Sequence, residues 1–495
     1  MATRHDHEPG RGPEQTRPDV PLHRLRLPAR SAVDPGAMTS DLDTALPIAR
    51  AIEVAGGHAL IVGGWVRDRL RGHPSKDIDL EVYGVPAETL RSLLEQFGSV
   101  NAVGESFTVY KVGAIDVALP RRESKSGRGH RGFTVVGDPD LPYDQAFRRR
   151  DFTINAIGWN PLTEEYIDPF DGRADLERGV LRAVDLQTFG EDSLRVLRAV
   201  QFAARFEFDL DAETARLGAD LPLDDLPAER IWGELEKLLL LASRPARGLA
   251  LAHSLGVVER LLPELVPLVD CPQEPEWHPE GDVWTHTLLV IDEARQRIDD
   301  LARPAQVAIM LGAVCHDLGK PATTKLLDGR IRSLDHEAAG VPPATAVLDR
   351  LNIHTMDGFD VRRQVLGLVA HHLKPGMWQR ARDGVGDGAF RRLAHKVDLE
   401  LLARLAAADC RGRTGEFDCS AMDWFIERAR ALGVEHAPPE ALLKGRHLVE
   451  RGWVPGPRLG EALQAVYERQ LDGQVDTLEA AIAMAEARRE PKPGG

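Results

Sequence analysis

The chain has 495 residues, 43% hydrophobic and 28% charged, the balance of a soluble globular protein. That length exceeds one ordinary core, so about three domains are expected at roughly 150 residues each. A formal net charge of −15 excludes a global polyelectrolyte attraction to nucleic acid, so any RNA contact needs a local basic patch.

The opening stretch, MATRHDHEPGRGPEQTRPDV, lacks the apolar core of a signal peptide. Residues 1–40 read as a disordered extension, and so does the tail RREPKPGG. No apolar run reaches the length of a membrane span, so no membrane partner is expected. The four cysteines, at 271, 315, 410 and 419, form no CxxC pair. Their spacing fits neither a disulfide framework nor a zinc ribbon, and a reducing cytoplasm is the simplest location. Nothing in the sequence fixes an oligomeric state.

HALIVG (58–63) predicts a buried strand, with a Gly-Gly turn and a helix start, WVRDRLRG, after it. DIDLEVYG predicts a second strand, and AETLRSLLEQFG an amphipathic helix closed by glycine. FTVYKVG and AIDVALP predict a strand pair turning at Gly113. Residues 121–147 are polar and Gly-rich with no clear period, which predicts a long loop of the functional or disordered kind. From about residue 186, Leu/Ala/Arg-rich segments at helical spacing run to the end, so an α/β head precedes a nearly all-α remainder. Pro-rich breaks near 263–279 and 437–439 are candidate boundaries, and no internal repeat is visible.

In the head, Asp77 and Asp79 stand two apart on a strand and project from one face. Paired carboxylates there can hold Mg²⁺, which takes its remaining ligands from water and a nucleotide triphosphate. Such an ion would activate an attacking hydroxyl and stabilise the leaving pyrophosphate. Gly63 and Gly64 allow backbone to approach the phosphates, the following helix offers its N–H groups, and Arg67 adds a charged fork. Each element alone fits a solvated strand edge or a plain turn; the specificity lies in their combination. Asp116 is either a third carboxylate or a structural neighbour.

RRRDFTINAI (148–157) sets three arginines before a predicted strand, with Arg150 a candidate for the triphosphate and Asp151 for ribose hydroxyls. General attraction to the RNA backbone is the competing reading for the arginines. In EDSLRVLRAVQF, Glu191 and Asp192 suit a helix N-terminus, and Asp192, Arg195 and Arg198 recur every three residues along one face. A carboxylate beside a guanidinium matches the amino group and bare ring nitrogen shared by cytosine and adenine. Uracil and guanine present the opposite polarity, at about 1–3 kcal/mol per unpaired buried group. The alternative is a solvated salt bridge along the helix.

Together these segments resemble the class II tRNA nucleotidyltransferases, the CCA-adding family within the polymerase-β-like superfamily. VGGWVRDRLRG…KDIDL resembles that family's catalytic motif, RRRDFTINAI its ribose-sensing motif, DPFDGRADLERGVLRAV its hinge, and EDSLRVLR its amino-acid template. The resemblance runs from about 58 to 270. It implies an α+β protein with a polymerase-β-like head on a small mixed sheet (41–185) and a helical neck and body (186–270). It implies template-independent addition of CCA to the tRNA acceptor end from CTP and ATP. An A-adding-only enzyme or a poly(A) polymerase is the alternative.

The implied roles are Gly63, Gly64 and Arg67 at the nucleotide, Asp77 and Asp79 at Mg²⁺, and Arg150 at the phosphates. Asp192 and Arg195 would meet the base, and Arg198 would contact the nucleotide. Gln201 departs from the arginine that relatives often carry. The segment 121–147 resembles a flexible element missing from enzymes that add only CC.

Further on, WHPEGDVWTHT, CHDLGKP, DHEAAG, AHH and ADCRGRTG follow in order. The set His286, His316, Asp317 and Asp409 mixes imidazole with carboxylate, a chemistry suited to Mn²⁺, Fe²⁺, Co²⁺ or Ni²⁺ rather than Mg²⁺. His336, His371 and His372 are candidates for a second metal or a phosphate, and His253, alone in its segment, is expected to be structural. The pattern resembles HD phosphohydrolases. It implies an all-α HD domain at 271–415 with phosphatase, 2′-nucleotidase or 2′,3′-cyclic phosphodiesterase activity, followed by a helical region at 416–495.

Overall fold

The architecture is taken from a computed structural model, which describes residues 39–75, 77–103, 109–125 and 133–489. A seven-stranded mixed sheet carries the head. Its strands are β1 (His58–Val62), β2 (Ile78–Tyr83), β3 (Val100–Val103), β4 (Val109–Val112), β5 (Ile115–Ala118), β8 (Gly158–Trp159) and β9 (Tyr166–Ile167). They lie in the order β3-β4-β5-β2-β1-β8-β9, and every pairing is antiparallel except β2 with β5. Apolar residues from both sheet and helices drive this packing. Ile48 and Ile52 of helix α1 (Thr39–Val54), Val66 of α2 (Gly64–Leu70) and Leu90 of α3 (Ala87–Leu94) close over Ile61, Ile78, Leu80 and Val117. Gly57 permits a close crossing, since a Cβ there would stand 2.4 Å from the Tyr83 carbonyl oxygen.

Helix α1 begins at Thr39, two residues inside the stretch expected to be disordered, while 1–38 and the tail 490–495 lie outside the described residues. The expected loop at 121–147 is also corrected. Strands β6 (Arg121–Lys125) and β7 (Phe133–Gly137) form an antiparallel pair, and α4 (Tyr143–Arg148) follows behind Pro142. The strand former here is the run Thr134-Val135-Val136, whose preference for extended backbone outweighs the polar surroundings. Residues 126–132 lie outside the described residues.

Helices α5 (Gly172–Arg178), α6 (Leu186–Phe189) and α7 (Leu194–Phe206) lead out of the head. Beyond them the chain is helical, apart from small pairings that include the hairpins Thr324–Leu327 with Arg330–Ser333 and Thr355–Met356 with Phe359–Asp360. One apolar core runs from Phe152 to Val434 without a break at 270 or at 415. A separate small core, Leu443 to Ala485, begins after the Pro-rich break at 437–439. Cys410 and Cys419 are bonded, which the spacing argument had not anticipated. Cys419 stands immediately before the helix Ser420–Ala431, and its Cα lies 6.0 Å from that of Cys410, nine positions earlier. Among the described residues no helix is long and apolar enough to cross a membrane.

Phe152 joins the two parts. It is fully buried and packs edge-on against Phe189 and Phe202. Phe152→Ala should lower stability by about 3–5 kcal/mol in denaturant titration, and a loss under about 1 kcal/mol would show that this ring is not a structural joint.

Candidate functional site

Asp77 immediately precedes β2, and Asp79 is its second residue. Asp79 lies in register with Val62 of β1 on one side and Asp116 of β5 on the other. Three carboxylates therefore gather at one end of neighbouring strands. Gly63 turns the chain there with φ +75°, and a Cβ on it would stand 3.2 Å from Arg150 Nη1 and 3.8 Å from Asp79 Oδ2. The left-handed turn and the close approach together explain the glycine. Asp79 keeps an open edge to solvent. Even so, the groups packed round its carboxyl desolvate it and push its pKa up; Asp116 and Asp77 push the same way, while Arg150 and Lys111 oppose them. Lys111 Nζ donates to Asp116 Oδ1 at 2.7 Å.

Arg150 leans over this site, with long contacts to the Asn155 carbonyl (3.4 Å) and Glu81 Oε2 (3.5 Å). Arg67 is placed differently from the free fork expected of it. It is buried, its Nε and Nη2 donate to Asp68, and its Nη1 donates to Asn155 Oδ1 at 2.8 Å. Its guanidinium also lies over the Phe206 ring at 4.5 Å, so it braces α2 against α7. Glu81 was missed, although it continues the two-residue alternation from Asp77 and Asp79. It accepts from Tyr83 Oη at 2.5 Å as well as from Arg149 and Arg150. Asn155, inside the quoted motif RRRDFTINAI, was missed too.

Asp151 ties this region to α7. Its Oδ2 accepts from Arg198 Nε at 2.6 Å, and its Oδ1 accepts from the Phe152 N–H and Asn155 Nδ2. Burial opposes the charge of Asp151, but Arg198 and these hydrogen bonds outweigh it and hold the carboxyl below its ordinary range. Both oxygens of the residue read as a ribose acceptor are thus engaged inside the protein. Arg195 Nη2 donates to the Arg149 carbonyl at 2.6 Å and Nη1 to the Thr188 carbonyl at 2.9 Å.

Asp192 is not on the helix, which begins two residues later at Leu194. Its Oδ1 accepts from the Leu194 N–H, and Arg230 grips it with both terminal nitrogens, at 2.9 and 3.3 Å. Arg230 was missed because it comes from a separate helix, Ala228–Leu241. Among the described residues no ion pair joins Asp192 to Arg195, so the salt-bridge alternative is not the arrangement adopted. Gln201 is buried and accepts from Arg205 at 3.2 Å.

A second cluster lies in the helical part. His286 comes from the helix Val283–Arg295, His316-Asp317 from the end of Arg303–Cys315, His336 from the start of His336–Arg350, His372 from the end of Val361–His371, and Asp409 from Leu399–Arg411. All six are buried. His316 Nε2 stands 3.1 Å from Asp317 Oδ2, and His286 Nε2 stands 3.1 Å from Asp409 Oδ1 and 3.9 Å from Asp317. His316, His336 and His372 each direct Nδ1 at the backbone carbonyl three residues earlier, at 2.7–2.9 Å. That bond fixes the proton on Nδ1 and leaves Nε2 as a lone-pair donor.

His336 and His372 face each other through Nε2 at 3.2 Å, beside Asp317 Oδ1. Burial, then the like charges of His336 and His316, pushes His372 down to about 3. For Asp317 burial works against ionisation, but His316 and Lys320 hold it well below the ordinary range. His316 Nε2 is buried with no protein donor or backbone group engaging it, while Asp317 Oδ2 lies 3.1 Å from it and 2.8 Å from Lys320 Nζ; the bare imidazole nitrogen beside the carboxylate fits a cation-binding donor set. His371 is outside the cluster, beside Lys374 and Lys396; as the last residue of its helix it faces away from its neighbour. His253 pairs with Glu259 at 2.8 Å, away from the metal-type groups. Glu280 and His278, both within WHPEG, were missed; they form a further group with His286.

The model of the poly A polymerase head domain matches residues 59–182, and that of a probable RNA and SrmB-binding site of polymerase A matches 208–268. The chain is 35% identical over 418 residues to the multifunctional CCA protein of Xanthomonas campestris pv. campestris, covering 81% of this chain and 95% of that protein. Its fold is similar to the Bacillus stearothermophilus CCA-adding enzyme solved with CTP (TM-score 0.60, 22% identity, 91% and 99% of the two chains). It is also similar to the Thermotoga maritima CCA-adding enzyme solved with tRNA (TM-score 0.54, 19% identity, 92% and 97%). A polymerase-β-like head on a largely helical body, matched along four-fifths of its length, makes this chain a member of the CCA-adding nucleotidyltransferase family.

Proposed function

We propose that the chain is a tRNA nucleotidyltransferase that adds CCA to the tRNA 3′ end from CTP and ATP. The observation that carries this reading is the convergence of Asp77, Asp79 and Asp116 beside Gly63 and Arg150, with Asp151 anchored to α7. The names of the relatives support it. Hard oxygen donors on adjacent strands suit Mg²⁺, held by Asp77 and Asp79 with Asp116 in reach. The ion would supply charge stabilisation for attack of the 3′-hydroxyl on the α-phosphate and for departure of pyrophosphate.

The residues do the positioning. Gly63 and Gly64 admit the triphosphate, Arg150 neutralises it, and Arg67 holds α2 in place for its N–H groups to reach the phosphates. Asp151 presents the segment that meets the ribose. Asp192 and Arg195 read the base, with Arg198 fixing their helix against the head. The helical body meets the tRNA acceptor arm by shape and backbone.

The second cluster supports a further activity, hydrolysis of phosphate esters. His286, His316, Asp317 and Asp409 would hold Ni²⁺, Mn²⁺ or Co²⁺, which would activate water. His336 and His372 would bind a second ion or the phosphate. Lone-pair nitrogens converging on buried carboxylates favour this over a structural role.

The two sites should separate by mutation. Asp79→Ala should reduce labelled CTP and ATP incorporation by about 10³-fold or more while sparing phosphate-ester hydrolysis. Asp317→Ala should do the converse. If either change removed both activities, the two-site assignment would be wrong. Arg195→Ala should narrow the preference for CTP over UTP by about 10- to 100-fold, as expected for losing one buried polar partner. An unchanged ratio would remove Arg195 from base selection.

A further inference from the structure

The geometry points to Arg413 as the residue that binds the substrate's phosphate at the second site. This rests on the metal-dependent hydrolase reading proposed above. A cavity of about 270 Å³ reaches the cluster from the surface, and its lining includes His372, Arg380, Asp409, Arg413 and Ser420. His372 and Asp409 belong to the metal-type groups, so the cavity is an access route to them. A phosphate ester arriving there must be met by positive charge besides the metal. Arg380 stands exposed at the rim. Arg413 stands deeper: its Nη2 is 3.8 Å from Asp409 Oδ1, and its Nε is buried without a hydrogen-bond partner.

An unpartnered guanidinium nitrogen beside a polar cavity is costly unless an acceptor arrives. At 3.8 Å the contact with Asp409 is too long for a hydrogen bond, so Arg413, which lines the cavity, does not take up the Asp409 carboxylate.

The loop that carries Arg413 is fastened at several points. The Cys410–Cys419 bond closes it into a ring next to Asp409. The Thr414 N–H donates to Glu280 Oε2 at 3.3 Å, and Glu280 Oε1 lies 2.8 Å from His286 Nδ1. Phe417 packs under the guanidinium at 5.5 Å. A Cβ on Gly412 would stand 2.7 Å from Val290, so the loop lies against the His286 helix. A planar donor fork is therefore pre-positioned at a fixed offset from the ligands, which is the arrangement a phosphate with one oxygen on a metal requires.

The test uses the full chain loaded with Mn²⁺. Inorganic phosphate is titrated calorimetrically, p-nitrophenyl phosphate hydrolysis gives KM and kcat, and metal content is measured on the same samples. Arg413→Ala should weaken phosphate binding and raise KM by about 10- to 100-fold. Metal content and nucleotide incorporation at the head should be unchanged, and Arg413→Lys should recover part of the loss. Unchanged phosphate affinity in an active Arg413→Ala variant would overturn the assignment. So would a fall in metal content that accounts for the loss. A wild-type protein that hydrolyses nothing would instead sink the hydrolase reading itself.

Discussion

The ion pair between the buried carboxylate of Asp151 and the partly exposed Arg198, 2.6 Å long, is the constraint on which the rest of the head depends. Asp151 follows Arg150, which overhangs the carboxylate site, and Arg198 lies one turn beyond Arg195 on α7. Deleting Arg198 would leave the buried Asp151 charge uncompensated, at a cost below the roughly 3–5 kcal/mol of a fully buried pair because Arg198 is partly solvated. Here that energy serves position. It fixes α7, to which base choice is proposed to fall, relative to the strands proposed to perform the chemistry, although more than a hundred residues separate Asp79 from Arg195. The Arg195 bond to the Arg149 carbonyl acts across the same seam, and Arg67 reaches across it onto the Phe206 ring.

Aromatic faces complete that seam. Arg67, Arg71 and Arg205 all lie over Phe206, at 4.5, 4.3 and 5.4 Å. Burial, and then their mutual repulsion, lowers the pKa of Arg71 and Arg205, with Asp68 in opposition. Such a group of cations is tolerated because the rings offer a negative face where water is scarce. A chain with a net charge of −15 thus keeps concentrated positive charge along the seam behind its carboxylate-bearing strands.

The motif residues were the legible part, because strand alternation and glycine spacing leave direct marks in sequence. Asp77, Asp79 and Gly63 stand where the period of two and the Gly-Gly turn put them. Glu81 obeyed the same period and could have been found. Asp192 misled: acidic residues suit helix starts in general, yet its carboxylate caps from two positions outside, and Arg230 reaches it from a helix no local pattern could connect. The 121–147 segment hid its strands because hairpin pairing there is carried by backbone and a short β-branched run, not by a hydrophobic alternation. The AHH pair illustrates the limit of residue type. His371 and His372 are adjacent and identical, and only the turn of the helix end sends one into the cluster and the other toward lysines. The continuous core across residue 270 was equally invisible, since composition shifts report surface and linker preferences rather than which helices share an interior.

The central claim is that the head and α7 together build C, C and A onto tRNA. It is tested most directly by giving the unmodified protein three tRNA acceptors, ending before the first C, after the first C and after the second. Each is supplied with labelled CTP or ATP alone in Mg²⁺. The account predicts CTP incorporation on the first two, ATP incorporation on the third, and termination after one A. Failure to incorporate CTP on any acceptor, with ATP added to all three, would contradict it and leave an A-adding enzyme in its place.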